Sequence, residues 1–238
     1  MSEFSGKKIV IIGGTSGIGL AVAARCAALG ADVVVASSSQ AKVDAARGVL
    51  PTGTVASVVD VTDEPQVAAL FERVGPFDHL VFTAGDWGPM SGSRLRDLDL
   101  DRAADVFAVR FWGGLAAAKH AHPSIAAGGS ITLTDGLIAH RPRPGAAVST
   151  AMAGAIEHLV TGLAVELAPV RVNAVCPGLI VTDALAAVPA ERITAMTKRQ
   201  AVPRVGSPDE AAEAYLYLMR GTYTTGQVLH VDGGMGLT

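Results

Sequence analysis

Two cysteines in 238 residues are too few for a disulfide framework. Cys26 falls in a helical stretch near the start and Cys176 after a late strand, so both read as thiols of a protein in a reducing cytoplasm. Charge is sparse as well, at 17% of residues with a net of −3 and both signs scattered. The missing basic stripe argues against nucleic acid as a partner, and the missing blocks of like charge argue against a disordered tail. Lys7 and Lys8 precede an apolar run that resembles a signal peptide, but glycine, threonine and serine break it straight after Ile12. No leader, membrane span or membrane partner is therefore expected. No metal is expected either. Aromatic residues are only 5%, yet 50% of the chain is hydrophobic, enough to bury a full core in one domain over 1–238.

What the chain has is an apolar run that breaks into glycines. Lys7 to Ile12 reads as a buried parallel strand, and Val22, Arg25, Cys26 and Leu29 continue a helix that stops at Gly30. Between them, Gly13, Gly17 and Gly19 let the backbone turn sharply, approach a ligand and pack the helix on the strand. The helix start offers unpaired N–H groups to a phosphate. A dinucleotide pyrophosphate fits there, against Gly13, Thr15, Ser16, Gly17, Ile18 and Gly19.

A second buried strand, Ala31 to Ala36, ends at Ser37, Ser38 and Ser39, where an adenosine ribose would be read. An acidic residue there would bond the 2′-hydroxyl of NAD and repel the 2′-phosphate of NADP. None is present, and three hydroxyls with Lys42 nearby can accept a phosphate, so NADP(H) is favoured and NAD is the lesser alternative. The arginine that often clamps such a phosphate is missing too, and serine clusters also mark ordinary turns. Val55 to Val59 is a third strand, with Asp60 and Val61 placed to meet the adenine. A helix capped within Thr62-Asp63-Glu64-Pro65 runs through Phe71. His79 to Thr83 is a fourth strand, and Thr83, Ala84 and Gly85 allow close approach to a ribose. The alternation implies an α/β fold, a doubly wound parallel sheet with helices on both faces.

From these residues onward the chain resembles the short-chain dehydrogenase/reductase family, end to end. Besides the glycine turn and Asp60-Val61, the matching stretches are Arg171-Val172-Asn173-Ala174-Val175-Cys176-Pro177-Gly178 and Thr225-Gly226-Gln227-Val228-Leu229-His230-Val231-Asp232-Gly233-Gly234. The resemblance implies that Pro177, Gly178, Ile180 and Thr182 hold the nicotinamide carboxamide. Two stretches read as long loops, Asp86 to Asp97 and Thr182 to Pro208. Trp87 and Leu185 in them are candidates for a substrate wall, with Trp112 and His140 as further candidates.

The family's usual catalytic set is replaced. By the resemblance, Arg110 stands where members carry Asn and Asp135 where they carry Ser. Val148 and Met152 stand for the Tyr and Lys of a Tyr-x-x-x-Lys pair. A tyrosine made acidic by its lysine supplies the proton when a ketone is reduced, and valine cannot. General acid catalysis contributes roughly 10²–10⁴-fold, so ordinary carbonyl reduction should be impaired. Arg110 and Asp135 are expected to pair, which would lower the aspartate pKa and keep it ionised. A fixed carboxylate favours a cationic small-molecule substrate, so the expected reaction is reduction of an iminium or another activated electrophile. The other readings are a catalytically silent cofactor-binding partner of a related subunit, and a non-redox isomerase or cyclase.

Leu98 to His120 reads as one long helix carrying Arg110. Val148 to Leu167 is a second helix, apolar around its circumference and needing cover on several sides. In the resembled family such helices pack across a two-fold axis, which implies a homodimer or homotetramer.

Overall fold

The computed structural model describes residues 3–85, 94–186 and 188–238. Seven parallel strands form one sheet in the order β3-β2-β1-β4-β5-β6-β7. They are β1 Lys8–Ile12, β2 Asp32–Ser37, β3 Val55–Val58, β4 Phe77–Phe82, β5 Ile125–Thr134, β6 Arg171–Pro177 and β7 Val228–Val231. The order reverses between β1 and β4, and in such sheets ligands bind outside the carboxyl ends of the strands at that switch.

On one face lie α1 Gly17–Ala28, α2 Gln40–Val49 and α10 Pro208–Arg220. On the other lie α3 Glu64–Val74, α6 Gly114–Ala121 and α7 Ala147–Glu166. Alternation along the strands feeds two cores. Ile9, Ile11, Val33 and Val35 pack with Tyr215 and Leu216 of α10, while Val10, Ile12, Leu80 and Phe82 pack toward α3 and α6. The helix α7 is long and apolar enough, by length and composition, to cross a membrane. Its Met152, Ile156, Val160 and Leu163 are instead buried against the sheet.

Two expectations about elements are corrected. The stretch from Leu98 is no single helix: α4 Leu100–Ala103 and α5 Asp105–Phe107 lead into a π-helical turn at Ala108–Gly113 before α6. Gly113 explains the tight fit, because a Cβ there would lie 2.7 Å from Val61 Cγ2. The second long loop also carries helices, α8 Asp183–Ala186 and α9 Ala190–Thr197.

Candidate active site

The glycine turn has the shape expected of a phosphate cradle. Gly13 and Gly17 take positive φ, at 90° and 53°. A Cβ on Gly13 would stand 2.5 Å from the Ala84 nitrogen, and one on Gly19 would stand 2.2 Å from the Gly13 carbonyl oxygen. Thr83 and Ala84 donate their backbone N–H groups to the Ile12 carbonyl, at 2.8 and 3.1 Å, which ties the end of β4 to the turn. At the start of α1, Ser16 is extended and makes no side-chain cap, and no acidic residue occupies the first turn. Thr15 is buried and Ile18 packs against the core beneath. The first N–H groups and the positive helix end therefore face the space where an anion would sit.

The ribose end is equally open to negative charge. Ser39 Oγ accepts from the Lys42 N–H at 3.3 Å and caps α2, whose first turn also lacks an acidic residue. Ser37 Oγ accepts from the Ser39 N–H, and Ser38 is exposed. Thr62 donates from its N–H and its hydroxyl to Asp60 Oδ1, at 2.9 and 2.7 Å, holding that carboxyl below the usual range. Val61 beside it is buried against Gly113.

The second half of the chain completes the cradle. The Gly178 N–H donates to Val231 at 3.0 Å after Pro177, and Ile180 bridges to Gly206. Thr182 folds over the glycine turn, its Cγ2 only 3.2 Å from where a Cβ of Gly17 would be. Leu185 follows on α8, half-buried, whereas Trp87 lies outside the described residues.

Arg110 and Asp135 do not pair, contrary to expectation. The guanidinium is buried, donating to the carbonyls of Gly85 (3.0 Å) and Thr134 (3.4 Å), with its stem against Gly85. The Asp135 N–H continues the ladder to Val175 at 2.9 Å, and its side chain turns toward α7. There it is fully buried, and neither oxygen has a hydrogen-bond partner of normal geometry. The expected downward shift is reversed: burial, then the adjacent Glu157 carboxyl, pushes Asp135 up to about 8, opposed by the Gly136 N–H. The thiol of Cys176 is raised by burial and by Asp135 beside it.

A cleft of about 530 Å³ opens at the start of α7, lined by Leu95, Leu98, Pro142, Arg143, Pro144 and Val148 among others. Val148 thus faces a cavity, while Met152 is fully buried in the core. Two proposed wall residues lie elsewhere. Trp112 is 60% exposed and stacks edge-on against Phe111. His140 bonds Glu157 at 2.5 Å and packs on the ring of His230. Tyr215 of α10 is fully buried with its hydroxyl 2.7 Å from Thr134 Oγ1, and burial raises its pKa.

Sequence reasoning did not bring Glu157 to Asp135 or His230 to Cys176, and read Cys176 only as a thiol in a reducing cytoplasm. The only signal available was strand register, since Cys176 lies opposite His230.

The pattern of the family described as enoyl-(acyl carrier protein) reductase matches residues 13–236. The short-chain dehydrogenase/reductase ATR9 of Stachybotrys chlorohalonatus is 34% identical over 252 residues, with 98% of each chain covered. The solved structure of MalC reductase/Diels-Alderase from Malbranchea aurantiaca superposes with TM-score 0.92 at 32% identity, covering 99% of this chain and 97% of that one. A small-chain dehydrogenase solved in complex with NADPH superposes with TM-score 0.78 at 35% identity, covering 98% and 99%.

Proposed function

The chain belongs to the short-chain dehydrogenase/reductase family, a family of oxidoreductases, and from that premise we propose that it is an NADP(H)-dependent reductase of an iminium or similarly activated electrophile. One observation carries the reading. Val148, at the position that by resemblance belongs to the family's tyrosine, lines the cleft, and Met152, at the lysine position, is sealed in the core. Neither can give a proton. Hydride delivered to a ketone leaves an alkoxide that needs one, whereas hydride delivered to an iminium carbon gives a neutral amine and NADP⁺ with no proton transferred. Arg110 fixes the ribose-side backbone at Gly85 and the end of β5.

The choice of NADP(H) rests on the acid-free turn after β2, the capped start of α2 and the NADPH held by a similar chain. Both cysteines are free and buried, which fits a reducing cytoplasm. The apolar residues left exposed on the π turn and α7, Trp112 and Val165, fit a homodimer or homotetramer. A second reading, a non-redox ring-closing enzyme, is favoured by the similarity to MalC, which is described as both a reductase and a Diels-Alderase.

The test is to mix enzyme and NADPH with a panel of cyclic iminium ions and matched ketones and to follow loss of NADPH absorbance. Turnover of iminium ions with ketones inert is the expected result. Consumption with ketones alone rejects the mechanism, and tight NADPH binding without any consumption identifies a silent partner.

A further inference from the structure

Adjacent strand ends, one turn and one helix bring five metal-ligating side chains to a single place. In the parallel ladder of β6 and β7, Cys176 is in register with His230, and in that of β5 and β6, Thr134 is in register with Val175. Successive side chains alternate in direction, so Asp135, Cys176 and His230 form a row on the face covered by α7. His140, just past the short turn at 137–139, and Glu157 of α7 close over that row. His140 Nε2 is 2.5 Å from Glu157 Oε1, and the rings of His140 and His230 are 4.6 Å apart. One ligating atom from each of His140, Cys176 and His230 lies within 4.8 Å of the others, and the same holds for Asp135, His140 and Glu157.

A packing explanation leaves this cluster badly served. Asp135 is fully buried and neither oxygen has a hydrogen-bond partner of normal geometry, which costs its charged form free energy unless a counter-charge is supplied. A second carboxyl and a buried thiol stand beside it rather than a cation. Two imidazoles, a thiolate and a carboxylate are the borderline-soft donor set of a tetrahedral zinc site. Ligand atoms about 2.0–2.3 Å from such an ion lie roughly 3.4–3.7 Å from one another. Ligand atoms within 4.8 Å of one another need a contraction of at most roughly 1.4 Å to reach that geometry, and the two histidines, both exposed, supply it by side-chain rotation. The bond from His140 to Glu157 is the carboxylate contact that orients a ligating imidazole.

We propose that His140, Cys176 and His230 bind one divalent transition-metal ion, zinc by the character of the donors, with Asp135 closing the fourth position and Glu157 orienting His140. None of these residues lines the 530 Å³ cleft, so the ion ties β7 to β5 and α7 rather than meeting the hydride acceptor. Two positive charges against the thiolate and both carboxylates would leave the centre at −1.

The experiment uses untagged full-length protein stripped with a chelator and titrated with cobalt(II). The expected result is one cobalt per chain, with a thiolate-to-cobalt charge-transfer absorption and the visible bands of a tetrahedral ion, both abolished by zinc. His230→Gln, at an exposed position, should weaken cobalt at least tenfold, and Glu157→Gln should weaken it about 10–100-fold. Cys176→Ser should remove the charge-transfer band, and if that variant fails to fold, His230→Gln carries the test. Absence of the band at equimolar cobalt, or an affinity unchanged in His230→Gln, overturns the proposal.

Discussion

Gly19 tolerates no side chain, because the Cβ of an alanine would lie 2.2 Å from the Gly13 carbonyl oxygen and 2.4 Å from Thr83 Oγ1. Backbone cannot yield as a flexible side chain does, so Gly19→Ala should push the glycine turn outward and misdirect the N–H groups at the start of α1. A fluorescence titration is expected to show NADPH binding weakened at least tenfold, about 1.4 kcal/mol, with circular dichroism near that of the unaltered protein. His79 sets a different condition. It is buried, shares a hydrogen bond with Ser130 at 2.9 Å, and burial holds its pKa down at about 4. The unfolded chain takes up this proton near pH 6.5 and the folded chain does not until about 4. The stability linked to neutral His79 is thus complete above 6.5 and lost as pH falls toward 4. Linkage puts the loss between pH 7.5 and 5 at about 2 kcal/mol. Urea denaturation at the two pH values measures it, and His79→Gln should flatten the difference.

Between β2 and α2 the proposed preference for NADP(H) would rest on an element boundary rather than on one residue. The carboxyl end of a strand, an acid-free first turn and the Ser39 cap together leave N–H groups for a 2′-phosphate. Placing a carboxylate at the exposed Ser38 should repel that phosphate and offer a partner to a 2′-hydroxyl. Ser38→Asp is therefore expected to move the ratio of NADPH to NADH affinity at least tenfold toward NADH, and titration with both nucleotides reads it. This half of the site was legible in the sequence because it is local: strand, glycine turn and helix follow one another, and so do β2 and its serines. The surroundings of Asp135 were not legible. Its neighbour Cys176 reaches it only through the register of β5 with β6, and His230 reaches Cys176 only through that of β6 with β7. Arg110 was misjudged for a related reason. Arg110 lies within the π turn at Ala108–Gly113, off the positions of a regular helix, and its guanidinium meets the backbone carbonyls of Gly85 and Thr134 rather than the carboxylate. Such turns occur mostly as single interruptions of α-helices, frequently at functional sites, and helical periodicity read from sequence carries no trace of them.

At the scale of the molecule, the two cores account for one face of α7 and leave the other unexplained. Val165 is 79% exposed, and Trp112 on the π turn is 60% exposed. The outward side of α7 also carries the small residues Ala151, Thr161 and Gly162, beside the exposed His158 and Glu166, and the small residues allow a second helix to approach closely. Apolar surface left in water on two neighbouring elements is the mark of an association face, and in a symmetric dimer that face meets its own copy. A charge placed there is then opposed by the identical charge of the partner. Trp112→Glu with Val165→Glu should therefore convert the proposed oligomer to monomer in sedimentation at micromolar concentration. Far-ultraviolet circular dichroism should stay unchanged, since neither side chain is buried within the chain. A wild-type protein that already sediments as a monomer, or a doubly substituted one that keeps the wild-type mass, would show that these side chains are ordinary exposed surface and that the active site is complete within one chain.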